Sequence, residues 1–215
     1  RQPSAVSRQL PTPVTPTVLA AYDVVVLGEC AIGAGDVTML SAWTNAGGTL
    51  IAFRPDAQLA PLLGLTPAAG TLANAYMKVD TASGPGVGIV GETMQFHGAA
   101  DLYTLNGATA VAMLYSNAAN ATANPAVTTR SVGPNGGRAI AFTYDLARSV
   151  VYTRQGNPAW AGTKRDGMIE PIRSDDQFFG AAAGDVQPDW IDFTKIAIPQ
   201  ADEQQRLLAN AILKG

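Results

Sequence analysis

Residues 22–56, YDVVVLGECAIGAGDVTMLSAWTNAGGTLIAFRPD, decide the fold class that the sequence predicts. They open with the run DVVVLG, which is continuously apolar, rich in β-branched residues and closed by a glycine. An apolar run without alternation is typical of a strand buried on both faces, as in a parallel sheet covered by helices. The sequence therefore predicts a buried strand over residues 22–28.

A helix and a second strand follow directly. Val37, Leu40 and Trp43 recur at helical spacing, and Asp36 falls in the first turn, where the helix dipole favours an anion. These features predict a helix over residues 35–46 that ends at two glycines and leads into a buried strand over residues 49–53. Strand, helix and strand in this order form a right-handed βαβ unit.

The βαβ unit predicts a flavodoxin-like doubly wound, mainly parallel α/β sheet with helices on both faces. Strands at 22–28, 49–53, 108–115 and 138–144 are expected to share this sheet. A glycine-rich turn at residues 133–137 predicts a hairpin between 126–131 and 138–144, which would form an antiparallel edge. A second hairpin or flap is predicted within residues 72–96, and helices are predicted over 146–152 and 200–213.

The domain organisation predicted is one α/β domain, residues 22–215, preceded by an extended connector over the proline-rich residues 1–21. Because doubly wound sheets usually open with a strand and a helix, we expect the natural polypeptide to begin upstream. Residues 153–199 have charges and aromatic rings but little periodicity. Long irregular segments of this kind are usually functional, so we interpret this one as a docking surface for a partner.

Composition excludes several classes of function. A net charge of −3 gives no basic footprint, so we expect no nucleic-acid partner. The apolar runs are too short for a membrane span. A single Cys and a single His exclude an intrachain disulfide, a multi-thiolate zinc site and a histidine-based metal cluster. We expect no metal and no cofactor, since the acidic residues of the irregular segment lack EF-hand spacing: Asp175, Asp176, Asp189 and Asp192.

Four charged residues each follow the carboxyl end of a predicted strand. Open α/β sheets bind ligands in the crevice at these ends, so the four are candidate ligand-binding residues. Two interpretations stay open, because the same side chains could pair with one another and only satisfy the rim of the sheet. The residues are Glu29, Arg54, Asp56 and Asp145.

Further candidates are scattered along the chain. Cys30 is a weak candidate nucleophile at a helix N-terminus, although a small buried apolar filler is the favoured interpretation. His97, with Gln95 beside it, is a candidate base or sugar ligand, although a structural role is favoured. In the irregular segment, Arg154, Asn157 and Trp160 combine hydrogen-bond donors with an aromatic platform, which suits sugars or contact between domains.

The stretches AGG and TLIAF, with the strand that precedes them, resemble the class I glutamine amidotransferase-like fold. They are also similar to its non-catalytic relatives, such as the trimerisation domain of certain β-galactosidases. The stretches FTYDLARSVVYTRQGNPAWAG and IPQADEQQRLLANAIL resemble a group of uncharacterised, exported bacterial multidomain proteins. This resemblance implies a neighbouring polysaccharide-deacetylase-like domain and a secreted or periplasmic location.

The chain departs from true amidotransferases at both catalytic motifs. Their G-x-C-x-G elbow follows a central strand, and the corresponding turn here reads Arg54-Pro55-Asp56. Cys30 lies one strand too early, in a motif one residue too long. The expected His-x-Glu is replaced by Tyr144-Asp145-Leu146. Glutamine hydrolysis is therefore not expected.

These observations predict a non-catalytic amidotransferase-like domain with a structural or ligand-binding role in a larger exported, polysaccharide-acting protein. Its expected partners are a neighbouring domain or subunit, and carbohydrate. One alternative is an independent hydrolase that uses Cys30 or His97 with nearby carboxylates. Another is an oligomerisation module, which the β-galactosidase likeness implies.

Overall fold

The computed structural model describes residues 14–82, 84–90, 93–155 and 201–214, which form nine strands and five α-helices. Two 3₁₀ turns, Ala57–Leu59 and Gly84–Gly86, complete the regular elements. The helices are α1 Pro16–Leu19, α2 Ala34–Asn45, α3 Ala60–Leu63, α4 Leu146–Gln155 and α5 Ala201–Lys214. The strands are β1 Val24–Leu27, β2 Thr49–Phe53, β3 Leu65–Ala73, β4 Tyr76–Val79, β5 Thr93–Gln95, β6 Ala99–Leu105, β7 Thr109–Tyr115, β8 Ala121–Val132 and β9 Gly137–Phe142.

Seven strands form one curled sheet in the order β1-β2-β9-β8-β7-β4-β5. The pairs β1–β2 and β2–β9 are parallel, and the other four neighbouring pairs are antiparallel. The predicted flavodoxin-like doubly wound, mainly parallel sheet is therefore wrong. Two parallel strands need a crossover connection of a dozen or more residues, usually a helix. Within residues 14–155 only one such unit joins two strands that are consecutive along the chain, and this unit is β1-α2-β2. The chain from β7 to β9 instead reverses twice through short connections, residues 116–120 and 133–136.

The membership of the sheet was predictable even though its topology was not. Strands 22–28, 49–53, 108–115 and 138–144 do share one sheet, as β1, β2, β7 and β9. The hairpin across residues 133–137 is also present, as the antiparallel β8–β9 pair. Its predicted place at the edge of the sheet is wrong, because β8 pairs with β7 along its other side and so lies in the interior.

β1 and β2 differ in how deeply they are buried. Every residue of β2 is buried, whereas β1 is half-buried and Val26 is 45% exposed. The prediction that residues 22–28 form a strand buried on both faces is therefore wrong. β-Branched residues favour extended backbone wherever a strand lies, so their presence does not reveal how many neighbours the strand has.

The core consists of two apolar clusters. One contains Phe142 and Tyr144 and packs against α4 and α5 through Leu146 and Leu207. The other packs β2 and β9 against the first three helices, through side chains such as Leu19, Leu40 and Leu63.

A separate antiparallel ribbon of β3 and β6 contacts the main sheet at β8, and its register shifts between Pro67 and Thr71. The predicted hairpin within 72–96 is present as the β4–β5 pair. The predicted helices over 146–152 and 200–213 correspond to α4 and α5. Most of the predicted connector and most of the irregular segment 153–199 lie outside the described residues.

Candidate functional site

A polar crevice of about 730 Å³ lies at the carboxyl ends of β1 and β2. The loops that follow these two strands form one side, the β3–β6 ribbon forms another, and the first turn of α4 contributes Arg148. Ligands of open α/β sheets bind at strand ends of this kind, where loops from different elements converge.

Arg54 holds the centre of the crevice through three charge-assisted hydrogen bonds. Its Nε and Nη2 donate to the two carboxylate oxygens of Asp101 at 3.1 and 3.0 Å, and its Nη1 donates to Glu29 Oε1 at 2.9 Å. The fork to Asp101 has the bidentate geometry that gives guanidinium–carboxylate pairs their specificity. The hydrogen bond to Asp101 is the largest cause of a raised pKa for Arg54, with the nearby charges of Asp101 and Glu29 adding to it.

Arg148 extends the network to the start of α4. Its Nη2 lies 3.3 Å from Glu29 Oε2, and its Nε lies 3.6 Å from Asp145 Oδ2. Asp145 precedes α4, and its Oδ1 accepts a hydrogen bond from the Arg148 backbone N–H at 3.0 Å. This is the N-capping interaction that Asp favours at a helix start. Two guanidinium groups thus join three carboxylates from separate parts of the chain.

The backbone at Arg54 adopts a left-handed conformation, with φ of 41°. A following proline, Pro55, disfavours the right-handed helical region for this residue. Left-handed backbone costs an L-residue roughly 1–2 kcal/mol. The Arg54 N–H compensates by donating to the carbonyls of Phe142 and Tyr144, at 2.8 and 3.2 Å. These bonds and the ion pairs hold the side chain over the crevice.

Asp56 ties the two strand-end loops together. Its Oδ1 accepts from the Gln58 backbone N–H at 2.9 Å, and its Oδ2 accepts from the Ile32 N–H at 3.4 Å. The bond from Gln58 is the main cause of the lowered pKa of Asp56, and the bond from Ile32 contributes. Gln58 Nε2 also donates to the Ile32 carbonyl at 2.8 Å, which closes a second link between the loops.

Tyr103 forms the floor of the crevice. Its hydroxyl donates to the Pro55 carbonyl at 2.9 Å, and the residue is buried. Burial, together with the negative charges of Asp101 and Asp56, raises the pKa of Tyr103 to about 12. The hydroxyl therefore stays protonated at neutral pH and presents only its lone pairs to the crevice.

The structure brings together the four charged residues that the strand ends predict. Glu29, Arg54 and Asp56 line the crevice, and Asp145 joins them through Arg148. The structure is compatible with both interpretations of the set, as ligand-binding residues and as ion pairs at the rim, since the residues pair with one another and also border an open volume. Ligand binding by this set stays a prediction.

Cys30 and His97 are not brought together. Cys30 is exposed on the loop after β1, so the favoured interpretation of a buried apolar filler is wrong. His97 is buried, does not line the crevice, and its backbone N–H donates to Ser149 Oγ at 3.0 Å. Burial lowers the pKa of His97 to about 4. Cys30 therefore lacks the histidine base that a nucleophilic mechanism of this type uses.

Gln95 belongs to a buried polar seam beneath α4 and α5. Its backbone carbonyl accepts from Gln204 Nε2 at 3.2 Å, and Gln204 Oε1 accepts from the Ser149 hydroxyl at 2.8 Å. Arg154 pairs on the surface with Asp202 at 2.6 Å, again between α4 and α5. These predicted ligand residues thus lie outside the crevice. Asn157 and Trp160 fall outside the described residues.

Three polar residues of the crevice were not predicted from the sequence. Arg148 was detectable, because it lies three residues after Asp145, a spacing at which helical side chains meet. Asp101 and Tyr103 carried no local signal. Their positions depend on the pairing of β6 with β3, which brings a distant strand over the ends of β1 and β2.

Two classes of site have no counterpart in the described part of the chain. There, no group of three or more His, Cys, Asp or Glu side chains is arranged to hold a metal ion. None of the helices within residues 14–155 or 201–214 combines the length and apolar character that a bilayer crossing requires.

Comparison with known proteins gives structural matches only. No family model matches the chain, and no curated protein sequence matches it. An exo-β-1,4-mannosidase from Opitutaceae bacterium strain TAV5 is similar, with 16% identity, 63% of this chain and 23% of that chain covered, and a TM-score of 0.48. A β-galactosidase from Bacillus circulans is also similar, with 13% identity, 63% of this chain and 23% of that chain covered, and a TM-score of 0.46. For a cytoplasmic protein from Salmonella typhimurium LT2 the identity is 12%, the match covers 72% of this chain and 69% of that chain, and the TM-score is 0.49.

The chain spans about a quarter of the length of these two glycosidases. At these values the similarity identifies neither a family nor an activity. The matches agree with the β-galactosidase part of the resemblance seen in the sequence. They give no support to the amidotransferase part or to a neighbouring deacetylase-like domain.

Proposed function

We propose that this domain is a non-catalytic oligomerisation module of a larger protein and that it pairs with a second copy along β1. The observation that carries the proposal is the open, apolar edge of the sheet at this strand. Among the described residues β1 has a neighbouring strand on one side only. Apolar edge strands are templates for association, and natural proteins usually blunt them with charges, proline or a covering element.

The backbone of β1 presents hydrogen-bonding groups at this edge. The Thr49 N–H donates to the Asp23 carbonyl at 2.9 Å, which fixes the side of the strand that faces β2. Because successive residues of a strand point their N–H and C=O groups in alternate directions, those of Val24 and Val26 point away from β2. An added strand could accept and donate there without any rearrangement of the sheet.

The segment that ends in β1 is also unusually apolar at its surface. We call residues 14–27 the β1 edge segment. Its α1 is anchored by the buried Leu19, so the exposed side chains are held in place. Isolated exposed apolar residues need no explanation, but several in one short segment indicate a contact surface. Four stand at four-residue intervals: Val14 at 55%, Val18 at 36%, Tyr22 at 59% and Val26 at 45% exposure.

The charge pattern of β1 favours a second copy of this chain as the partner along its open edge. An antiparallel pair of β1 strands with its twofold axis at Val25 places Val24 opposite Val26 of the other copy. It places Asp23 opposite Leu27, so no two like charges face each other. A four-residue strand and one helical turn bury less than the roughly 800 Å² per partner of a standard interface, so we expect micromolar association.

The crevice supports the non-catalytic part of the proposal. It contains a thiol and carboxylates, but the only histidine of the chain is buried elsewhere. An oligomerisation role is also what the β-galactosidase likeness of the sequence implies. Residence outside the cytoplasm, membership of a polysaccharide-acting protein and amidotransferase-like ancestry are further proposals, which rest on sequence resemblance alone.

The test is sedimentation of the 215-residue chain and of two variants at tens of micromolar, the range in which micromolar association is visible. Val26→Lys places a charge on the edge, and Val151→Lys places one at a site of α4 that is exposed to the same degree, 46% against 45%. We expect a dimer for the wild type and Val151→Lys, and a monomer for Val26→Lys. A wild-type monomer throughout, or equal behaviour of both variants, would reject the proposal. Circular dichroism checks that both variants are folded.

A further inference from the structure

We infer that the crevice at the ends of β1 and β2 binds a neutral, hydroxyl-rich ligand of the saccharide class. This goes beyond oligomerisation and concerns a different surface of the domain. Three properties of the crevice support it, namely the groups left free to bind, the charge balance and the shape.

Carboxylates of the crevice hold both of its guanidinium groups in place. Arg54 directs Nε, Nη1 and Nη2 at Asp101 and Glu29, and Arg148 directs Nε and Nη2 at Asp145 and Glu29. The Tyr103 hydroxyl uses its hydrogen on a backbone carbonyl. Carboxylate oxygens accept more than one hydrogen bond each, so acceptors remain after these contacts. A ligand can therefore donate to these carboxylate oxygens, and accept from the guanidinium N–H groups outside these contacts, without breaking the network.

The charge balance disfavours both an anion and a cation. Three carboxylates and two guanidinium groups line the crevice, namely Glu29, Asp56, Asp101, Arg54 and Arg148, which leaves one net negative charge. A cation bound to Glu29 or Asp101 would lie beside guanidinium nitrogens that are already about 3 Å from the same oxygens. Repulsion between like charges would then offset much of its attraction to the carboxylates. A hydroxyl group donates without adding a charge.

Shape and surface also fit a saccharide. The volume of about 730 Å³ lies within the usual range of small-ligand sites. The ribbon wall has small residues at Ala68 and Gly70, and Leu102 adds apolar surface. A sugar ring has apolar C–H faces and a polar hydroxyl rim, so it can contact such a wall and the carboxylates together. The ion pairs fix the carboxylates before binding, which lowers the entropy cost of recognition.

The experiment uses ¹⁵N-labelled chain and follows its amide resonances by NMR during titration. The neutral probes are the methyl glycosides of glucose, galactose and mannose, and the charged probes are spermidine and inorganic phosphate. We expect at least one glycoside to shift the amides of Glu29, Cys30 and Asp101 with a dissociation constant of about 1–10 mM, as for a small ligand with few contacts. The charged probes should shift these amides less.

Variants locate the site. Asp101→Asn neutralises the main partner of Arg54 and should weaken glycoside binding about tenfold or more, because it removes a charged acceptor. Glu29→Ala is the second variant should Asp101→Asn not fold. Asp202→Asn, which disrupts a surface ion pair of α4 and α5, is the control and should bind like the wild type. The inference is overturned if no glycoside shifts the crevice amides, if a charged probe binds there more tightly, or if the control loses binding equally.

Discussion

Lowering the pH from 7 to 5 is expected to destabilise the fold through one side chain, His97. This residue is 2% exposed, and its backbone N–H is fixed by Ser149 at the start of α4. Burial disfavours the charged imidazolium. It lowers the pKa of His97 from 6.5 to about 4, so the folded protein keeps a neutral ring throughout this pH range.

The sign and size of the effect follow from the difference between the two states. Above pH 6.5 the imidazole is neutral in both states, and its contribution to stability is complete. As the pH falls below 6.5 the unfolded chain takes up a proton that the folded chain does not, so stability decreases until the pH reaches about 4. Between pH 7 and pH 5 the two pKa values correspond to a loss of about 2 kcal/mol.

The assay is urea unfolding at pH 7, 6 and 5, compared with the His97→Gln variant. The chain has a single histidine, and unperturbed carboxyl groups titrate mainly below pH 5, so few other groups contribute in this window. With a urea m-value of about 2 kcal/mol/M, the wild-type midpoint should fall by roughly 1 M. The variant should show a much flatter dependence. The imidazole proton resonances of the folded wild type give an independent pKa.

Two results would refute this reasoning. One is a wild-type stability that changes no more than that of the variant between pH 7 and pH 5. The other is an imidazole of the folded protein that titrates near 6.5, which would mean that water or a carboxylate reaches the ring. The NMR measurement does not depend on the variant, so the prediction is testable even if His97→Gln is poorly folded.

Two substitutions probe the packing of the sheet. Tyr144→Phe should leave stability unchanged or raise it by up to about 1 kcal/mol in thermal unfolding, because the fully buried hydroxyl has no hydrogen-bond partner among the described residues; a clear loss would contradict this. Gly137→Ala should cost about 3 kcal/mol or more, because a Cβ there would overlap the Thr44 carbonyl oxygen. The control Gly28→Ala meets nothing within 4 Å and should be nearly neutral.

Only some residues of the crevice were predictable from the positions of the strand ends. Glu29, Arg54 and Asp56 were predictable, because a charged residue within three residues of the end of a parallel strand lies near the carboxyl edge of the sheet. Asp101, the bidentate partner of Arg54, was not predictable from position. It comes from the antiparallel ribbon, and its approach depends on a register that local sequence does not specify.

The sequence by itself determined the elements that depend on short-range interactions. The β1-α2-β2 unit, the glycine turn between β8 and β9, and the helices α4 and α5 follow from apolar periodicity and from residues that end a helix or reverse the chain. Only the tertiary structure decided that β1 lies at an edge among the described strands, that four of the six pairs in the main sheet are antiparallel and that His97 is buried outside the crevice that Cys30 lines. The reason is physical, since an apolar run encodes the tendency to be extended and buried. Which strand covers it, and in which direction, depends on packing between residues far apart in the chain.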